Sequence, residues 1–234
     1  MPNNWKLKLF LKRFPVKTSI LVLFLILTLL FKRFYLDNIP MLFWGADILG
    51  ILFENVTFGI VASLFFYIGT VYRQQFEKEV DFALLSNRYV NVIRSRINHI
   101  TSCLTYPNSQ FPSDPGELRL SLSRKTFLGE APFGWNDQMH NATWREFLFF
   151  IVKSIDIDAT KIISTLNSHQ VYNQELLHLL EQILSSSFVT RVKWCASAKL
   201  QDSDLACLTK EFLEYQNLIH EVILIYENQY NLKK

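Results

Sequence analysis

Half of the 234 residues are hydrophobic and 15% are aromatic, with twenty Phe, seven Gly and only 19% charged residues, and the mean hydropathy is positive. The apolar excess is concentrated before position 73, which argues for membrane segments with a polar tail rather than one ordinary soluble domain. A net charge of +3 is too small to argue for nucleic acid, and three isolated cysteines without a CxxC (Cys103, Cys195, Cys207) indicate neither a disulfide framework nor a zinc site.

Residues 1–17 carry Lys6, Lys8, Lys12, Arg13 and Lys17 without an acid, interleaved with Trp5, Leu7, Leu9, Phe10, Leu11 and Phe14. This is the composition of a membrane interface, read either as the basic flank of a first span or as a separate lipid-binding helix. Thr18–Phe31 is uncharged, and Lys17, Lys32 and Arg33 can extend it to a first span over 18–35 by snorkelling. The sequence KRFYLDNIP follows where a signal peptide would show a small-x-small cleavage site, so an uncleaved anchor is expected. Residues 36–47 then read as a short periplasmic loop, broken by Pro40, with Tyr35, Phe43 and Trp44 as interface anchors.

A second span is expected over 48–72, long and apolar enough to cross a bilayer. It passes into a charged helix over 73–105 with no Pro or Gly between Gly69 and Pro107. Along that helix Phe76, Val80, Leu84, Ile93, Ile97, Ile100 and Leu104 fall on roughly one side. Cations precede span one and follow span two (Arg73, Lys78, Arg88, Arg94, Arg96), which predicts both termini in the cytoplasm and a small external loop. In that topology Asn55-Val-Thr57 lies in the membrane and Asn141-Ala-Thr143 in the cytoplasm, so neither glycosylation pattern is expected to matter.

The second span also carries the candidate site. Asn55, Gly59, Ser63, Tyr67 and Thr70 recur at helical spacing and predict one packing face, with Gly59 and Ser63 permitting close backbone approach and Asn55 and Thr70 able to hydrogen-bond across it. Glu54 lies beside this row, and an ionisable residue at that depth is a functional candidate because it needs a partner. The row serves either packing against span one or a homo-oligomer through span two.

Residues 106–142 form a loop-rich segment with Pro107, Pro112, Pro115, Gly116, Gly129, Pro132 and Gly134; the alternation of Leu118, Leu120 and Leu122 permits one short strand. Phe111, Phe127, Phe133 and Trp135 suggest that it packs on the tail, and Arg119, Arg124 and Lys125 form a modest basic cluster. The remainder, 143–234, reads as a helical cytoplasmic domain. Thr143-Trp-Arg-Glu146 is a capping-box pattern opening a helix through Ile155, and Asn173 is available to cap a leucine-rich helix. FVTRVKWCASAKL is ambiguous between strand and helix. Leu205, Leu208, Phe212, Tyr215, Ile219, Val222 and Tyr226 make a heptad seam whose broad apolar flank suits bundle core better than an oligomer.

No Gly-rich phosphate loop, HExxH or nucleophile elbow is present, so no catalytic, cofactor-binding or metal residue is assigned and an enzyme is not expected. His99, His178 and His220 read as surface or boundary residues, and Asp156 and Asp158, at i and i+2, as a solvated helix end.

The stretch Gly45–Arg73, especially FGIVASLFFYIGTVYR, resembles the second span of small bacterial two-span inner-membrane proteins that accompany reverse transcriptases in retron loci and act as membrane effectors in anti-phage defence. The resemblance implies a bacterial source, a defence role and a cytoplasmic partner such as a reverse transcriptase ribonucleoprotein. The expected architecture is an all-α membrane protein: a two-helix transmembrane hairpin with a cytoplasmic helical domain. The expected function is a non-enzymatic effector that compromises the bilayer when triggered; the alternative is a membrane-tethered adaptor.

Overall fold

The computed structural model describes residues 6, 9–10, 14–35, 37, 46–106, 114–132, 142–197 and 203–230. Trp5, Pro40, Phe43, Trp44, Phe111, Phe133, Trp135 and Asn141, and with them most of the 36–47 connector, lie outside the described residues. Among those described the fold is helical, with no strand and two isolated bridges, Thr126 to Asp204 and Glu130 to Thr143. The chain divides into two compact units, Met1–Val80 and Asp81–Lys234.

In the first unit, α1 (Val16–Phe34) packs antiparallel against the start of α2 (Ala46–Thr105). The buried residues of this pairing are Val22 on α1 and Thr57 and Val61 on α2, one turn apart. Much of α1 and of the Ala46–Phe66 part of α2 is apolar and exposed: Phe24 is 64% and Phe66 69% accessible, and Ile48, Leu52, Val56 and Phe58 stand out alike. An apolar surface of this extent requires a cover of lipid or protein. By length and composition α2 can cross a membrane.

α2 is not uniformly α-helical. Tyr67–Tyr72 forms a π-helical segment between the α-helical parts Ala46–Phe66 and Arg73–Thr105. The absence of Pro between Gly69 and Pro107 correctly indicates a continuous helix, but does not reveal this widened turn. Within it the Thr70 hydroxyl donates to the Phe66 carbonyl at 2.6 Å, as Thr57 and Ser63 do to Phe53 and Gly59 in the α-helical part. Tyr72 is held by its hydroxyl, which donates to the Phe10 carbonyl at 3.0 Å, and by edge contacts with Phe10 and Phe14.

The second unit is a bundle built on the last part of α2. Phe82, Ser86, Val90, Ile93, Ile97, Ile100 and Leu104 follow one another at steps of three and four and are all essentially buried. Leu84, expected in this stripe, is instead 51% exposed, and Ser86 takes the core position. A serine among apolar positions hides the register from a hydrophobicity pattern. Around α2 pack α3 (Pro115–Ser123), α4 (Trp144–His169), α5 (Gln174–Leu184), α6 (Ser187–Ser197), a 3-10 turn (Leu205–Leu208) and α7 (Thr209–Tyr230).

α3 stands where the alternation of Leu118, Leu120 and Leu122 permits a short strand. Asp114 stands at its N-cap position and Pro115 opens its first turn, a common helix start, and Leu118 and Leu122 are buried one turn apart. After α3 the chain docks through backbone bonds: Phe127 N–H to Ser203 O at 3.0 Å and Leu205 N–H to Lys125 O at 2.9 Å on one side, and Trp144 N–H to Gly129 O at 2.9 Å on the other. The ambiguous segment is helical as α6, burying Phe188, Val189, Val192 and Cys195. The capping box of α4 forms reciprocally, Glu146 N–H to Thr143 Oγ1 at 3.3 Å and Thr143 N–H to Glu146 Oε2 at 2.9 Å, and Asn173 caps α5. The seam from Leu205 to Tyr226 is buried throughout, against the other helices of the same unit.

Candidate functional site

The α1–α2 pairing sorts the candidate residues onto opposite sides of α2. Asn55, Gly59 and Ser63 lie two residues from Thr57 or Val61, which places them about 200° around the helix from the side that meets α1. All three are exposed, and a Cβ added to Gly59 would meet nothing within 4 Å. Ser63 uses its hydroxyl locally, donating to Gly59 O at 2.8 Å. Tyr67 is also exposed, whereas Thr70 is half-buried with its hydroxyl committed to Phe66. Both belong to the π-helical segment, where the 3.6-residue spacing that put them in the row no longer applies.

Glu54 faces α1. Its Oε2 accepts from Lys32 Nζ at 2.9 Å, and Lys32 also lies 3.5 Å from Asp37, which in turn meets Arg33 at 3.5 Å. Gly50 lets the lysine stem pass: a Cβ there would come within 3.2 Å of Lys32 Cε. The arrangement pairs Lys32, Arg33, Asp37 and Glu54 at this end of the two helices, which lowers the cost of an apolar environment. The sequence names Glu54 but not its partner. The spacing of 22 residues between them becomes a contact only once the two helices fold back on one another. At the other end of the same pair, Phe10, Phe14, Tyr72 and Phe76 form an aromatic cluster with ring centroids 5.4–6.0 Å apart. Individual aromatics are visible in the sequence; the contact across 62 residues is not.

In the second unit the acids of α4 are not a solvated helix end. Asp158 is buried and accepts from Arg96 on α2, and Asp156 is mostly buried and accepts from Lys193 on α6. The expectation that they point to different sides holds. The solvated reading fails because α4 continues to His169 and is flanked by packed helices on both of those sides. Burial pushes the Asp156 carboxyl above the ordinary range despite its lysine. His99 is half-buried against Phe147, and desolvation holds its pKa down; His178 and His220 are exposed. Arg119 and Arg124 are exposed on and just after α3, while Lys125 turns inward and donates to Ser121.

Comparisons with protein families, with curated proteins and with solved structures find no match to this chain.

Proposed function

We propose that this chain is a non-enzymatic effector of the bacterial inner membrane, acting in antiviral defence by compromising the bilayer when its helical unit is engaged. In this reading α1 and α2 are two spans with both termini cytoplasmic, and copies associate through Asn55, Gly59 and Ser63. The observation that carries it is the position of that row. It is exposed, small or polar, and turned away from α1, leaving it available for a second copy in lipid. The Lys32–Glu54 pair supports insertion of α1 alongside α2, because neither charge enters lipid alone. The retron-type resemblance of Gly45–Arg73 suggests a reverse transcriptase ribonucleoprotein as the partner that engages the helical unit.

The test is expression in bacteria with and without the candidate ribonucleoprotein, read by a potential-sensitive dye. Loss of potential on triggering is expected, and Gly59→Leu is expected to abolish it at unchanged protein level by blocking close helix approach. An unchanged potential in triggered cells refutes the effector reading. Reporter fusions at residues 1, 40 and 234 would place the termini on the cytoplasmic side and the connector outside.

The second reading, a membrane-tethered adaptor, is favoured by the aromatic side chains that the helical unit leaves accessible, Tyr172 at 92% and Trp194 at 58%. Replacing α1 and the apolar part of α2 by unrelated spans separates the two: an adaptor keeps its activity and an effector loses it.

A further inference from the structure

Between α4 and α6 lies a groove of about 540 Å³ lined by Phe149, Lys153, Asp156, Ile157, Thr160, Lys161 and Lys193. Residues 153, 157, 160 and 161 share one face of α4, so Lys153 and Lys161 stand about 12 Å apart along the helix, with Lys193 entering from α6. With three lysines to one carboxylate in its lining, and Lys193 paired to Asp156, the groove carries a net excess of positive charge. Lys161 is steadied by the Tyr89 ring, 5.3 Å from its centroid.

Beneath the groove Asp156 uses one oxygen for Lys193, while the other is buried with no hydrogen-bond donor among the described residues.

We propose that this groove binds a small phosphorylated organic molecule, its phosphate shared by Lys153, Lys161 and Lys193 and its flat apolar part laid against Phe149 and Ile157. The volume falls in the range of small-molecule sites. Asp156 at mid-groove disfavours a polyanion tracking through. The inference concerns the helical unit alone and holds or fails independently of the membrane reading.

The test is calorimetric titration of the detergent-solubilised full chain with ATP and with inorganic pyrophosphate, and with vesicles containing a phosphoinositide. Saturable binding of ATP is expected, weakened about ten- to a hundred-fold by the exposed pair of changes Lys153→Ala and Lys161→Ala, since a charge-assisted bond contributes that much. Circular dichroism melts establish that each variant is folded. Absence of saturable binding of either soluble probe, or affinity indifferent to the lysine changes, overturns the site. Stronger binding to vesicles than to ATP overturns the free-ligand assignment.

Discussion

At the scale of single residues, the second unit is held by charges placed where the apolar pattern shows only hydrophobic core. Arg96 and Asp158 illustrate the cost. Their side chains are 17% and 9% accessible, so the pair has left water and each depends on the other. Asp158→Ala removes the carboxylate from this largely buried pair, and a loss of about 3 kcal/mol is expected in urea unfolding, in line with broken buried pairs. Asp156 has the opposite character. Burial raises its folded carboxyl above the unfolded value, so the folded state holds its proton more tightly than the unfolded chain does. Its contribution therefore falls as pH rises from the ordinary carboxylate range through the raised value. Melting temperatures taken across that window should decline for the native chain, with the decline flattened in Asp156→Asn.

At the scale of elements, helix boundaries follow local chemistry closely. Thr143 and Glu146 open α4, and the helix closes at Gln170, whose φ of 53° is left-handed and whose N–H bonds to Asn167 O. A left-handed residue with a Cβ is strained by about 1 kcal/mol. Gln170→Gly relieves that strain where glycine commonly ends helices, and a gain of about that size is expected in chemical denaturation of the full chain. The π-helical segment of α2 is the element in which tertiary and local preferences meet. Tyr72 is drawn to Phe10 and Phe14 while Thr70 occupies the Phe66 carbonyl, and the widened turn accommodates both. Tyr72→Phe removes the bond to Phe10 while keeping the ring. Faster amide exchange at residues 67–72 is expected, and unchanged exchange would show that ring packing alone holds the segment.

For the whole molecule, the two units differ in where their apolar side chains lie. The first unit exposes apolar side chains along both helices; the second buries its apolar residues among its own helices. A fragment beginning at Asp81 is therefore expected to be helical and to remain in solution without detergent. The full chain is expected to sediment with membranes and resist extraction by alkaline carbonate. Recovery of the full chain in the soluble fraction would contradict a lipid cover for α1 and α2.

What the sequence by itself determined is what local chemistry and periodicity determine. The helical class, the long apolar helix, the capping box at Thr143, the Asn173 cap and the buried seam from Leu205 to Tyr226 are all written in short-range spacing. The alternating leucines of α3 misled because three residues cannot separate a period of two from a short helix, where Asp114 and Pro115 were the better guide. Only tertiary structure decided which residues meet at long range: Lys32 with Glu54, Tyr72 with Phe10, Arg96 with Asp158, and Lys193 with Asp156. It also decided that Asn55, Gly59 and Ser63 turn away from α1, because a helix pattern shows that residues share a face but not which neighbour that face meets.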